Sequence, residues 1–266
     1  MSVLACIAIA VTASSDAIGL ESGSPAKVAL VKLPPGFLQR DQLPDSLALL
    51  PVPPADGSAA LERDEAARRD AEAWRGTARW TLAASDADLS FPHAASTYSC
   101  AAGIAISKEA TPRTYALLGK SLIDIGLSTY RAKDEYKRTR PFVMHQAATC
   151  YPKDEPALRN DGSYPSGHSA VGWGWALILA ELLPESADAI LRRGRDFGQS
   201  RVVCNVHWQS DVDAGRVIAS ATVARLHADA TFRAELEAAR RELAAARQRV
   251  LPATDQCAAE KAALAQ

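Results

Sequence analysis

From about residue 59 onward, apolar positions recur at helical spacing in long segments rich in alanine, leucine and arginine. Runs of β-branched residues are few, so the pattern predicts an all-α fold. The expected helices cover residues 59–84, 112–131, 168–182, 186–198, 209–227 and 231–249. Prolines at positions 112, 156, 165 and 184 punctuate these segments, and Ser186 is placed to cap the fourth helix. We therefore expect one compact helical bundle over residues 58–266.

The first 57 residues do not follow this pattern. Six prolines lie between positions 34 and 54, and they would interrupt a helix repeatedly, so residues 14–57 are interpreted as an extended arm. The segment from Val3 to Ala13 is apolar and ends in small residues, as a secretory signal peptide does before its cleavage site. We interpret residues 1–13 as such a signal, which predicts a periplasmic or secreted protein. The alternative is a buried N-terminal helix or strand.

The composition excludes two classes of partner. Thirty Lys and Arg against 31 Asp and Glu give a net charge of −1, so no general basic field would gather nucleic acid. No apolar run approaches the roughly 20 residues that span a bilayer, so we expect no stable membrane insertion. Any anion binding must therefore come from a local cluster of cations.

Removal of a leader would take away one of the five cysteines and leave four, namely Cys100, Cys150, Cys204 and Cys257. An even number without a C-x-x-C pair fits disulfides in an oxidising compartment, and the sequence leaves all three pairings open. In a cytosolic protein the same residues would instead be buried reduced thiols. Their spacing does not suit a zinc site.

Three segments concentrate the polar chemistry of the chain. They are residues 133–141 (KDEYKRTRP), 162–168 (GSYPSGH) and 200–211 (SRVVCNVHWQSD). Each has an ordinary structural explanation when taken alone: a solvated helix face, a capping turn, and a His–Asp pair on a helix surface. Together, however, they supply the groups that phosphoryl transfer requires.

The cationic groups and one turn would form the anion cradle. Lys133, Arg140 and Arg201 provide fixed positive charge for the phosphoryl oxygens. The turn formed by Ser166 and Gly167 directly precedes an apolar helical run, so its backbone N–H groups and hydroxyl would face a bound anion.

Two histidines and an aspartate would carry the reaction itself. His207 and Asp211 are spaced to face each other across one helical turn. A carboxylate bound to one ring nitrogen fixes the tautomer of the imidazole, so the other nitrogen keeps its lone pair. His207 is then the candidate nucleophile, which leaves His168 as the candidate acid for the departing oxygen.

The spacings K-x6-R-P, P-S-G-H and S-R-x5-H-x3-D in these segments resemble the three-part signature of the type 2 phosphatidic acid phosphatase (PAP2) and vanadium haloperoxidase superfamily. The extended form of the second motif resembles the bacterial class A non-specific acid phosphatases, with Ser169 where that branch usually has threonine. The resemblance covers about 80 residues and implies the helical fold of this superfamily. It also implies hydrolysis of small phosphate monoesters without a metal or other cofactor, and class A relatives are often homodimers or larger.

The resemblance further implies a role for each motif residue. The phosphoryl group would be transferred to His207, Asp211 would orient that ring, and His168 would protonate the leaving alcohol. The expected ligands of the phosphoryl oxygens are Lys133, Arg140, Ser166, Gly167 and Arg201.

Four other interpretations compete with this one. A vanadium haloperoxidase would use the same oxyanion pocket, although such enzymes are typically much longer. A membrane lipid phosphatase would need spanning helices. A serine-hydrolase triad of Ser166, His207 and Asp211 would need glycine at position 164, where Tyr164 stands. A phosphate-binding protein would need the cradle but not both histidines.

Overall fold

The computed structural model describes residues 35–246 and 255–265. Within these ranges the chain forms α-helices and short 3-10 turns without a β-strand, which confirms the predicted all-α fold. The helices are α1 (Ser46–Leu49), α2 (Ala59–Ala71), α3 (Ala78–Ser85), α4 (His93–Ser96), α5 (Ser99–Ala102), α6 (Pro112–Leu127), α7 (Tyr130–Tyr136), α8 (Pro141–Met144), α9 (Glu155–Leu158), α10 (Gly167–Leu182), α11 (Ala187–Val203), α12 (Gln209–Leu226), α13 (Ala230–Ala246) and α14 (Asp255–Leu264). The 3-10 turns are Arg40–Gln42, Glu72–Trp74, Pro152–Asp154 and Pro184–Ser186.

Helix α10 lies at the centre of the bundle. It packs most extensively against α11 and α12 and contacts α6 and α13 as well. Its sequence is apolar on nearly all sides, as expected of a helix enclosed by others, and Trp175, Ile178 and Leu179 are completely buried. The N-terminus of this central helix carries the second sequence motif, so the motif is attached to the most enclosed element of the fold.

Two predicted helices are each divided in the structure. The segment 59–84 breaks after α2, because a 3-10 turn and Gly76, with φ of +76°, redirect the chain before Thr77 caps α3. The segment 112–131 ends at Leu127, where the hydroxyls of Ser128 and Thr129 donate to the carbonyls of Ile125 and Gly126. Such local hydrogen bonds compete with the helical ladder, and α7 starts afresh at Tyr130.

The fourth predicted helix differs at both ends. Ser186 lies at the N-cap position of this helix, as predicted, but it also ends a 3-10 turn and its side chain makes no capping hydrogen bond. Proline at position 184 begins that turn, and the helix continues to Val203, five residues beyond the predicted end at 198.

The predicted arm is only partly described, and the predicted signal peptide at residues 1–13 lies outside the described residues. Residues 35–57 contain α1 and one 3-10 turn. They pack on the bundle: the backbone N–H groups of Phe37 and Leu38 donate to Asp124 on α6, and the Tyr164 hydroxyl donates to the carbonyl of Pro51.

Two disulfides select one of the three cysteine pairings. Cys100 on α5 bonds to Cys257 on α14, and Cys150 bonds to Cys204 at the end of α11. The first bond fixes the C-terminal helix to the bundle, and the second holds the loop after α8 beside the third motif. In the described ranges, no helix combines the length and apolar character needed to cross a membrane.

Candidate active site

The three sequence motifs meet at one pocket. Its lining includes Lys133 from α7, Arg140 from the segment before α8, Gly167 and His168 from the first turn of α10, and His207 from the loop between α11 and α12. These five predicted site residues are therefore neighbours in the fold, although up to 74 positions separate them in the sequence.

The other three predicted site residues are buried around this pocket rather than among its lining residues. Ser166 uses its hydroxyl to cap α10, accepting from the N–H and hydroxyl of Ser169. Arg201 is almost fully buried in the last turn of α11 and acts electrostatically on both His168 and His207. Asp211 lies in the first turn of α12, directly behind His207.

Hydrogen bonds fix the tautomer of His207. Arg140 Nη1 donates to Nε2 of the ring at 2.9 Å, and arginine can only donate, so Nε2 carries a lone pair. The other nitrogen, Nδ1, donates to Asp211 Oδ2 at 3.2 Å. Burial and the cations Arg140, Lys133 and Arg201 lower the pKa of His207 well below 6.5, which keeps the ring neutral. The structure thus holds a neutral imidazole with its Nε2 lone pair among cations.

Asp211 reaches His207 in a different way from the one the sequence suggested. His207 precedes α12, which begins at Gln209, so the two side chains are not stacked on one helix. The Asp211 carboxylate instead turns back over the helix N-terminus, where Oδ2 accepts from Trp208 N at 2.9 Å and from the His207 ring. The same carboxylate oxygen therefore both caps the helix N-terminus and orients the histidine.

His168 has its own fixed orientation. Its Nε2 lies 2.9 Å from the carbonyl oxygen of Ala87, which can only accept, so Nε2 bears a hydrogen and Nδ1 is the nitrogen that gains or loses a proton. Burial and the nearby charge of Arg201 lower the pKa of His168 well below 6.5. These effects favour the neutral form of the ring.

A buried network behind Asp211 was not predicted from the sequence. Arg138 donates to Asp211 Oδ1 at 2.6 Å and to Asp64 Oδ2 at 2.7 Å. Asp64 also accepts from the N–H and hydroxyl of Ser210, which joins α2 to α12. Two weak signals existed: Arg138 is two positions from Arg140 in the first motif, and Asp64 lies seven residues before the buried Ala71 on α2.

A second unpredicted residue, Asp161, lies inside the pocket. Its Oδ2 accepts from Arg140 Nη2 at 2.8 Å and from Lys133 Nζ at 3.3 Å. Lys133 Nζ also donates to the carbonyl of Gly162 at 2.5 Å. The only sequence signal is the Asn-Asp-Gly turn that precedes the second motif.

A third unpredicted feature supports the end of α11. Asp86 accepts from Arg193 and from the hydroxyl of Ser200, and Arg79 donates to that same hydroxyl at 2.9 Å. Glu260 of α14 completes this buried cluster through Arg193. Since Ser200 precedes Arg201, the cluster holds the backbone that presents Arg201 to the histidines.

The remaining wall of the pocket is apolar. It is formed by Leu89, Leu122, Leu158 and Val171, with Tyr130 beside them. A phosphoryl group among the cations would therefore have its organic substituent against hydrocarbon. In the described part of the chain, no group of three or more His, Cys, Asp or Glu side chains is arranged to hold a metal ion.

Comparison with known proteins agrees with this arrangement. The sequence profile of the PAP2 superfamily matches residues 114–234, which include all three motifs. The chain is 46% identical over 209 residues to a non-specific acid phosphatase of Providencia stuartii, covering 78% of this chain and 84% of that protein. It is 44% identical over 207 residues to an acid phosphatase of Zymomonas mobilis (76% and 77%), and 44% identical over 209 residues to a non-specific acid phosphatase of Salmonella typhimurium (78% and 83%). The chain therefore belongs to the PAP2 superfamily, in the branch of the class A non-specific acid phosphatases.

Proposed function

We propose that this protein is an exported acid phosphatase that hydrolyses a broad range of phosphate monoesters through a phosphohistidine, without a metal ion. The observation that carries the proposal is the state of His207: Nδ1 is committed to Asp211, while Nε2 keeps a lone pair beside the guanidinium of Arg140. A neutral nucleophile set among cations suits attack on an anionic phosphoryl group.

In the first step, the phosphoryl oxygens replace His207 as acceptors for Arg140 and bind Lys133 and Arg201. The Nε2 lone pair attacks phosphorus, and the bond from phosphorus to the ester oxygen breaks. The electron pair leaves with that oxygen, which takes the proton from Nδ1 of His168. Asp211 stabilises the positive charge that develops on the His207 ring.

In the second step, water attacks the phosphohistidine from the side that the alcohol has left. His168 Nδ1, now neutral, accepts a proton from this water as the bond from phosphorus to nitrogen breaks. Phosphate is released and His207 regains its lone pair. The same residue thus acts first as an acid and then as a base, as microscopic reversibility requires.

Two further features support the rest of the proposal. The relatives that cover most of this chain are named acid phosphatases or non-specific acid phosphatases. Two disulfides suit an oxidising compartment, which agrees with export directed by residues 1–13. The proposed catalytic domain covers residues 58–266. Beyond the cations and histidines, the lining of the pocket is mainly apolar, which favours broad specificity for the organic part of a substrate.

The test is direct detection of the intermediate. We expect wild-type protein mixed with 32P-labelled phosphate monoester and quenched in alkali to retain label on a peptide containing His207, because a phosphorus–nitrogen bond survives base. His207→Ala should lose both the label and turnover by orders of magnitude. The matched control His227→Ala removes a histidine on the surface, whose side chain is 36% exposed, and should retain both. Absence of label in wild-type protein that still turns over would refute the covalent step.

A further inference from the structure

The pocket that would bind phosphate already contains an anion. The carboxylate of Asp161 contacts both Lys133 and Arg140, and these two cations are almost fully buried. Its side chain is 16% exposed and lines the same pocket as His168 and His207. Two of the cations assigned to the phosphoryl oxygens are thus bridged by a carboxylate of the protein itself.

The backbone on both sides of Asp161 is clamped in place. Arg140 Nε donates to the carbonyls of Leu158 and Asp161, each at 3.0 Å. Lys133 Nζ donates to the carbonyl of Gly162, whose Cα lies so close to α7 that an added Cβ would approach the Lys133 carbonyl to 2.6 Å. These contacts hold the backbone of the segment, so the part of Asp161 with most freedom to move is its side chain.

The bonding capacity of the two cations limits how an incoming anion is received. A phosphate that binds Lys133 Nζ and Arg140 Nη2 directly must either displace the Asp161 carboxylate or remain beside a like charge in a site of low dielectric. Burial alone would raise the pKa of this carboxyl, but Lys133 and Arg140 outweigh that effect and hold the pKa below its ordinary value. The carboxyl of Asp161 therefore stays ionised to lower pH than an ordinary aspartate.

We propose that Asp161 is an internal competitor for phosphate: its carboxylate occupies the Lys133–Arg140 bridge in the empty enzyme, yields it to substrate, and returns to it as product phosphate leaves. This rests on the proposed function of the pocket and adds a product-release role to it. The competitor keeps two buried cations paired between turnovers and weakens the binding of inorganic phosphate. Since phosphate is the final product, weaker binding shortens the time for which each turnover blocks the next one.

The test is the affinity of the full-length protein for inorganic phosphate, measured by titration calorimetry without substrate. We expect Asp161→Asn, which keeps the size of the side chain and removes its charge, to bind phosphate at least about tenfold more tightly, or about 1.4 kcal/mol. Product inhibition in the hydrolysis assay should strengthen by the same factor. Asp161→Glu, which retains the charge, should bind phosphate no more tightly than wild type.

Asp154→Asn is the matched control. Asp154 is close enough to interact electrostatically with Arg201 and Arg140, but it is not one of the residues lining the pocket of the described chain. Its loss should leave phosphate affinity within about twofold of wild type. An equal gain in both variants would attribute the effect to net charge and overturn the competitor role.

The sign of the change separates competition from support. If Asp161 only held Lys133 and Arg140 in position, its replacement would weaken phosphate binding. Weaker or unchanged phosphate binding in Asp161→Asn therefore overturns the proposal. If Asp161→Asn fails to fold, a crystal structure of wild type with vanadate decides: we expect the carboxylate to have left at least one cation, and retention of both contacts refutes competition.

The titration requires no turnover, so it fails separately from the proposed function. Phosphate binding that tightens in Asp161→Asn, in a protein whose wild type forms no phosphohistidine, would uphold the competitor and refute the covalent mechanism. Absence of phosphate binding in wild type and in Asp161→Asn would overturn the competitor role, and the phosphohistidine experiment would then decide the mechanism by itself.

Discussion

Arg138 offers the strictest test of how the site is built, because we expect it to matter for catalysis without touching substrate. Its guanidinium donates to Asp211 at 2.6 Å and to Asp64 at 2.7 Å, and all three side chains are at least 90% buried. With charge centres about 4 Å apart and an effective dielectric constant of about 20, the attraction between Arg138 and Asp211 is about 4 kcal/mol. Removing one partner of such a buried pair typically costs about 3–5 kcal/mol, since the other charge is left uncompensated.

Replacing Arg138 with methionine should transmit this cost to His207 through Asp211. Burial already raises the pKa of Asp211, and Arg138 opposes that rise. Without Arg138 the carboxyl takes up a proton at higher pH and becomes a weaker acceptor for Nδ1 of His207. We expect kcat to fall by about 10²–10³-fold, or about 3–4 kcal/mol, and the acid limb of the kcat profile to move to higher pH. KM should change little, because Lys133 and Arg140 remain.

The assay is steady-state hydrolysis of p-nitrophenyl phosphate between pH 4 and pH 8, well below the melting temperature of each variant. Arg131→Met is the matched control: Arg131 lies on α7 with a side chain 65% exposed, and its pair with Asp45 is on the surface. Its loss should leave turnover within about twofold, as is usual for exposed pairs. The turnover of Arg138→Lys should lie between that of Arg138→Met and that of wild type, because an ammonium cannot reproduce the two-pronged contact with both carboxylates.

A double-mutant cycle distinguishes an indirect role from general damage. If Arg138 acts through Asp211, then Arg138→Met should add little to the loss already caused by Asp211→Asn. Additive losses, or near-wild-type turnover in Arg138→Met with an unmoved acid limb, would refute the reasoning.

Three further predictions concern pH, metals and disulfides. The pKa of His168 is lowered in the free enzyme, so we expect it to lose its proton at lower pH than in the substrate complex. The alkaline limb of kcat/KM should therefore lie at lower pH than the alkaline limb of kcat, and coincident limbs would contradict this. Turnover should survive EDTA while vanadate competes with substrate, and activity lost in EDTA but restored by Mg²⁺ or Zn²⁺ would disprove metal independence. Non-reducing peptide maps should show the disulfides Cys100–Cys257 and Cys150–Cys204. Replacing Cys150 and Cys204 with serine should lower the free energy of unfolding by about 4 kcal/mol, given their separation of 54 residues, and unchanged urea unfolding would rule this out.

The helices and the positions of the motifs could be predicted because each depends on local sequence. Apolar periodicity predicted the positions of α6, α10, α11 and α12 to within a few residues at each end. The ends failed where a side chain competes for backbone groups, as Ser128 and Thr129 do after α6, or where a positive φ redirects the chain, as at Gly76. Such events depend on single hydrogen bonds and leave no trace in the periodicity.

The residues that tune the site could not be predicted for a different reason. Asp64 meets Arg138 across 74 positions, and the pairing of Cys100 with Cys257 spans 157. Contacts of this kind depend on how the helices pack, which the spacing of motifs does not specify. Asp161 was missed although it lies next to the second motif, because an Asn-Asp-Gly turn is ordinary loop chemistry until its carboxylate is seen between two cations.

The charge of the pocket connects these residues to one another. Burial, together with the cations that would hold a phosphoryl group, lowers the pKa values of His207 and His168 and so favours neutral rings. For His207, the proposed nucleophile, the neutral ring is the reactive state, and Arg138 helps to keep the Asp211 carboxyl ionised because it opposes the rise in pKa that burial causes. For His168, the proposed acid, the neutral ring must gain a proton before it can act, and the negative charge of a bound phosphate ester would favour this by offsetting the cations. In the proposed mechanism, substrate binding therefore raises the pKa of the acid that protonates its own leaving group.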